Sequence, residues 1–166
     1  MDQFIQGGRV DFFFRPCCPI FCGVFFLHNE HLIRGREKGE AAAHPDFPLL
    51  TRFLADEAAT QALGRELAPC LKPGMVVWLD GELGAGKTTL VRALLRALGH
   101  TGPVKSPTYT LVEVYVVSSL YLYHFDFYRF NEEEEFAEAG LGEYFCADVL
   151  CLVEWPGKAG AYLPPA

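Results

Sequence analysis

Uninterrupted hydrophobic length is the first thing this sequence lacks. The apolar stretches Phe12 to Phe14 and Ile20 to Leu27 are broken by Arg15, Pro16 and Pro19, which leaves nothing long enough for a bilayer-crossing helix. The stretch makes a poor secretory signal too. Such a signal needs a clean apolar core before a small-residue cleavage site, whereas His28-Asn29-Glu30-His31 follows here. Cysteine pairing is missing as well. Cys17, Cys18, Cys22, Cys70, Cys146 and Cys151 include no C-x-x-C and no histidine at zinc-binding spacing, which points to ordinary buried or incidental thiols in a reducing cytoplasm. Positive charge is scarce. A formal charge of −7 and a pI near 5.2 argue against a broad phosphate-neutralising surface and against tight, direct nucleic-acid binding by this chain alone. Internal repeats and low-complexity tracts are absent too.

What is present is enough apolar material for one core: 51% of 166 residues are hydrophobic, the size and composition of a single domain. Its organising stretch is Gly81-Glu82-Leu83-Gly84-Ala85-Gly86-Lys87-Thr88-Thr89, which fits G-x-x-x-x-G-K-[ST], the loop that wraps backbone N–H groups around nucleotide phosphates. The context agrees. Met75 to Leu79 reads as a buried strand entering the loop, and Leu90, Val91, Leu94, Leu95 and Leu98 recur at helical spacing before Gly99. ATP or GTP binding is the expectation.

Upstream, Asp56 is placed to cap a helix in which Ala59, Ala62, Leu63 and Leu67 share a face, ended by Pro69 and Lys72-Pro73-Gly74. Downstream, Ser106-Pro107-Thr108 forms a candidate switch at the start of the next strand. Thr110 to Val117 and Leu120 to Phe127 read as a hairpin around Ser118-Ser119. The period of two puts His124 and Asp126 on one face near the strand's end, where doubly wound sheets form their ligand crevice. Six glutamates between Glu132 and Glu143 suggest a solvated helix that turns Phe136, Leu141, Tyr144 and Phe145 inward. Val149 to Glu154 is a buried strand ending in a carboxylate, as in a Walker B element with Glu in the usual place of Asp.

Four motifs in this order carry a resemblance: the phosphate loop, Ser106-Pro107-Thr108-Tyr109-Thr110-Leu111-Val112-Glu113, His124-Phe125-Asp126-Phe127-Tyr128-Arg129, and Leu152-Val153-Glu154-Trp155-Pro156. Over residues 55 to 166 the chain resembles the TsaE (YjeE) family of small bacterial P-loop ATPases. The resemblance implies an α/β, three-layer P-loop NTPase-like fold with a central, mainly parallel sheet and a β-hairpin. It implies ATP hydrolysis in formation of N6-threonylcarbamoyladenosine on tRNA, beside TsaB and TsaD, with tRNA contacted only through the complex and no membrane involved. Residues 1–48 read as a poorly ordered extension outside the family pattern, consistent with an over-long predicted start. By the same resemblance, residues 49–166 are expected to be the ATPase domain, cut short of the family's usual further C-terminal strands.

Phosphoryl transfer to water requires charge neutralisation and placement. ATP or ADP with Mg²⁺ is therefore expected on the backbone of Leu83, Gly84, Ala85, Gly86, Lys87, Thr88 and Thr89. Lys87 bridges the β- and γ-oxygens, and Thr88 offers a hydroxyl to the metal. By resemblance, Glu154 also holds the metal, Asp126 lies near the metal and γ-phosphate, and Glu57 lies near the base. Ser106 and Thr108 are the phosphate sensors. With no evident arginine finger, since Arg92 and Arg96 fall on the helix and Arg129 on a loop, hydrolysis by the isolated chain is expected to be weak. Alternatives from the same residues are a P-loop small-molecule kinase and a nucleotide-regulated binding module without useful catalysis.

Overall fold

The computed structural model describes residues 8–15, 22–29 and 49–163, with side chains from Phe53 onward. Among the described residues seven strands form one sheet: β1 (Gly8–Arg15), β2 (Cys22–Asn29), β3 (Leu49–Leu54), β4 (Val76–Gly81), β5 (Val112–Val117), β6 (Leu120–Asp126) and β7 (Val149–Glu154). Their spatial order is β3-β1-β2-β4-β7-β6-β5. The pairs β2·β4, β4·β7 and β6·β7 are parallel, while β1·β2, β1·β3 and β5·β6 are antiparallel. The centre of the sheet is thus parallel, and the expected hairpin supplies its β5 edge.

Helices α1 (Glu57–Leu67) and α2 (Lys87–Leu98) pack on one face. Both begin and end where the sequence places their signals. Asp56 accepts a hydrogen bond from the Ala59 amide at 2.8 Å, and Gly99 closes α2 in the left-handed region at φ 107°. Leu90, Leu94 and Leu95 of α2 lose all contact with solvent against Leu79, Leu122, Leu150 and Leu152 of the sheet. Each such leucine contributes about 2 kcal/mol by leaving water. A second cluster, built on Phe125, Phe127, Phe130, Phe136 and Val153, fills the opposite face.

That second face is where the structure departs from the helix expected after Glu132. The segment is broken into α3 (Glu135–Glu138) and a 3-10 turn at Leu141–Tyr144, with Gly140 at φ 66° between them. Glycine adopts that conformation without the penalty a Cβ would bring, so the chain turns there rather than propagating a helix. Phe136 and Leu141 still point inward, and Tyr144 and Phe145 pack at the margin of the same cluster.

Low order is the expectation for residues 1–48, and two of its segments differ: β1 and β2 pair with each other, β1 pairs with β3, and β2 runs beside β4. Both are eight-residue runs rich in phenylalanine or valine, residue types that suit a pleated surface. Residues 1–7, 16–21, 30–48 and 164–166 lie outside the described residues, as does most of the clustered cysteine and histidine of that region. Among the described residues, no helix is long and apolar enough to cross a membrane.

The α1–α2 contact is unusually close at Gly64, where an added Cβ would sit 2.6 Å from the Ala93 Cβ and 2.8 Å from its carbonyl carbon. Gly64→Ala gains about 1 kcal/mol of helix propensity but overpacks the interface by about 1–3 kcal/mol. A lowered thermal midpoint is expected despite the better helix former, and adding Ala93→Gly recovers only part of it because the backbone contact persists. Burial also pushes the Cys151 thiol up to about 12, whereas Cys70 and Cys146 are exposed. At pH 8, site-resolved alkylation should label Cys70 and Cys146 readily and Cys151 only after unfolding.

Candidate functional site

The carboxyl ends of β4, β7 and β6 lie in register. Leu79 pairs with Glu154, and Glu154 pairs with Asp126, so two carboxylates from neighbouring strands arrive at one sheet edge beside the loop that leaves β4. In that loop the Ala85 amide donates to the Glu82 carbonyl at 3.1 Å, and Gly86 caps α2 at φ 96°. An added Cβ at Gly86 would meet nothing within 4 Å, which makes backbone conformation, not space, the reason for glycine. The first bond of α2 runs from the Leu90 amide to the Gly86 carbonyl at 2.9 Å. The amides of Lys87, Thr88 and Thr89 therefore have no intrahelical acceptor and carry the positive end of the helix dipole.

Lys87 is only 4% exposed. Its Nζ donates to the carbonyls of Gly81 at 2.7 Å and Glu82 at 2.8 Å, and lies 4.0 Å from the centre of the Trp155 ring. Burial lowers the pKa of this ammonium, and the carboxylates of Glu154, Asp126, Asp80 and Glu82 act in the opposite direction. Trp155 holds its position with a left-handed backbone at φ 58°, its amide donating to the Leu79 carbonyl at 3.2 Å. Tyr128 packs beside it at 5.1 Å between ring centres.

Asp126, 3% exposed, gathers the switch segment. Its Oδ2 accepts from Ser106 Oγ and, at 2.7 Å, from Thr108 Oγ1, while its Oδ1 accepts from the Tyr128 amide at 2.9 Å. On β7, Glu154 Oε1 accepts from Thr88 Oγ1 at 2.8 Å and is 2.9 Å from His124 Nε2. Both acidic side chains thus reach into the mouth of the loop from below.

These groups share a cleft of about 970 Å³. Its lining includes Glu57 from α1, the whole of Leu83 to Thr89, Ser106, Thr108, Asp126 and Glu154, so the residues expected around nucleotide and metal line one space. Arg92, Arg96, Lys105, Tyr128 and Trp155 line it as well; Arg129 does not, its guanidinium lying 4.4 Å from the centre of the Tyr109 ring. The part of His124 was not read from the sequence, although its place two residues before Asp126 on a strand of period two was the available signal.

Whether these residues suit Mg²⁺ is decided by donor chemistry. Thr88 and Glu154 offer hard oxygens already within 2.8 Å of each other, and among the described residues no cluster of three or more His, Cys, Asp or Glu side chains forms an all-protein cage. One or two protein oxygens completed by phosphate oxygens and water is how magnesium is normally held beside a nucleotide. The site fits.

The sequence model described as "Threonylcarbamoyl adenosine biosynthesis protein TsaE" matches residues 54–166. The chain belongs to the TsaE family. It is 44% identical over 122 residues to the "tRNA threonylcarbamoyladenosine biosynthesis protein TsaE" of Haemophilus influenzae, covering 70% of this chain and 77% of that one. The Bacillus subtilis protein of the same name is 44% identical over 105 residues, covering 63% of this chain and 65% of its own length. Among solved structures, that of B. subtilis YdiB superimposes with a TM-score of 0.56 at 37% identity, over 67% of each chain. A TsaE-family P-loop accounts for the order of strand, glycine loop, buried lysine and helix.

Lys87 is within reach of both the loop carbonyls and the tryptophan face. ADP with Mg²⁺ should draw its ammonium toward the phosphates and alter Trp155 fluorescence. The response should vanish in Trp155→Phe and survive in Trp78→Phe; a response confined to Trp78 would contradict this placement. Loss of a charge-assisted hydrogen bond is worth about 1.5–3 kcal/mol, so Lys87→Ala should weaken ADP binding by at least about tenfold in equilibrium dialysis.

Proposed function

We propose that this chain is the ATP-hydrolysing member of the machinery that forms N6-threonylcarbamoyladenosine at position 37 of tRNA, and that it supports turnover of a TsaB–TsaD complex. The observation that carries the reading is the convergence of Lys87, Thr88, Glu154 and Asp126 on a glycine loop that leads into the N-terminus of α2, whose first amides have no intrahelical acceptor. Family membership supplies the pathway, and the printed names of the relatives agree with it. The net charge of −7 leaves tRNA contact to the partner proteins.

ATP or ADP is held by the amides of Leu83 to Thr89, with Lys87 as a cation on the β- and γ-oxygens. Thr88 and Glu154 would hold Mg²⁺, whose charge would offset that of the phosphates during transfer to water. Asp126 orients the attacking water, and Glu57 faces the base. Ser106 and Thr108, gripped by Asp126 in the structure, change partner when a γ-phosphate is present and report its loss to the bound proteins. Arg92 and Arg96 approach from α2 and Arg129 is stacked on Tyr109. Full charge stabilisation in the transition state thus awaits a partner, and hydrolysis by the isolated chain is slow.

The test is phosphate release, together with co-purification with TsaB and TsaD with and without ATP. Thr108→Ala should reduce hydrolysis or ATP-dependent assembly several-fold while sparing ADP affinity; equal loss of all three would contradict a sensor. Glu154→Gln should stop hydrolysis and threonylcarbamoyl transfer together. Full modification without hydrolysis would instead identify a nucleotide-regulated binding module, and absence of ATP-dependent assembly would remove the pathway assignment.

A further inference from the structure

His124 is fully buried, and its Nδ1 has no hydrogen-bond partner among the described residues. Among the described residues, the polar partner of its ring is Glu154, whose Oε1 lies 2.9 Å from Nε2. The register explains how they meet: His124 pairs with Leu152 and Asp126 with Glu154, which sets the imidazole diagonally behind the carboxylate on the same face of the sheet. Around it, Leu122, Leu150 and Leu152 have no exposure. A polar ring in such surroundings, half satisfied, costs stability relative to a hydrophobe of similar size. Packing alone does not account for it.

Glu154 Oε1 is the acceptor for both Thr88 Oγ1 and His124 Nε2, and Oε2 has no hydrogen-bond partner among the described residues. Two donors on one oxygen restrict the rotation of the carboxylate and leave its other oxygen unengaged, on a residue that lines the cleft. Thr88 can keep donating while a lone pair of its oxygen faces the metal; His124 adds a second donor that belongs to the sheet and not to the helix carrying the phosphate loop.

We infer that His124 is a positioning residue, which donates its Nε2 proton to Glu154 Oε1 so that the carboxylate stays aimed at the Mg²⁺ bound with the nucleotide. The inference rests on the nucleotide-binding reading above and extends it by one residue. It assigns His124 no contact with nucleotide or substrate. Groups behind a metal ligand commonly govern metal affinity by about 10–100-fold, and this one acts on the metal's share of nucleotide binding rather than on the phosphate loop itself.

The test is calorimetry of ADP binding to the full chain, once in EDTA and once across a Mg²⁺ titration, for the wild type, His124→Leu and His124→Gln. Leucine keeps apolar volume and removes the donor; glutamine carries an amide N–H at a similar distance from the backbone. His124→Leu should keep its EDTA affinity within about twofold and require at least about tenfold more Mg²⁺ for half of the metal-dependent gain, and His124→Gln should restore most of the difference. Should the leucine variant fail to fold, His124→Asn, whose amide falls short of Glu154, takes its place with the same expectation. The inference is overturned if the donor-free variant keeps the wild-type Mg²⁺ requirement, if glutamine gives no rescue, or if EDTA affinity falls in parallel. A wild type whose ADP affinity ignores Mg²⁺ would overturn this inference and the reading beneath it together; a Mg²⁺-dependent wild type with an unaffected His124→Leu would overturn the inference alone.

Discussion

Keeping an ammonium ion in the interior of a small domain is the constraint around which this site is arranged. An unpaired buried charge costs several kcal/mol, and Lys87 is answered by the carbonyls of Gly81 and Glu82, by the face of Trp155 and by the field of four carboxylates. Each compensation comes from a different part of the fold. The carbonyls come from the loop leaving β4, Trp155 from the end of β7, and Asp126 from the end of β6. Assembling them requires the parallel register of the three central strands, so a single side chain ties the sheet's alignment to the chemistry at its edge.

The same register separates two jobs done by neighbouring acids. Glu154 and Asp126 are paired residues on adjacent strands, yet their hydrogen bonds run in opposite directions. Glu154 is tied to Thr88 at the start of α2, the element that carries the phosphate loop. Asp126 is tied to Ser106 and Thr108, in the segment leading to β5. One carboxylate therefore fixes the floor of the site, and the other holds a loop whose hydroxyls have alternative acceptors when a phosphate is near. On the proposed reading, an anion at the loop and the position of the Ser106–Thr108 segment would be coupled through two adjacent strand ends.

Much of this was legible in the sequence because local signals and global fold agree. Asp56 and Gly99 mark helix ends through hydrogen bonds made within a few residues, and Val149 to Glu154 is apolar enough to be recognised as a buried strand at its full length. Such features depend on near neighbours. The broken segment after Glu132 was misread because its glutamates and inward aromatics suit a helix, while Gly140 decides the outcome through one left-handed residue. Thr110 and Leu111 likewise read as strand, whereas β5 begins at Val112; Leu111 sits at φ 64° and accepts the Asp126 amide through its carbonyl. The bond from Ser106 to Asp126 spans 20 residues and that from Thr88 to Glu154 spans 66. Periodicity has no means of expressing contacts of that separation, and only the recurrence of four family motifs pointed to them.

The reading turns on whether backbone amides of the loop and of the first turn of α2 clasp a polyphosphate. Hydrogen–deuterium exchange, read peptide by peptide with and without Mg²⁺ and ADP, addresses those amides directly. The account predicts that protection on adding nucleotide is strongest over Leu83 to Thr89, with a weaker effect at Ser106 to Thr108. Unchanged exchange across Leu83 to Thr89 at saturating nucleotide, or protection confined to the far face around Phe136 and Phe145, would contradict it.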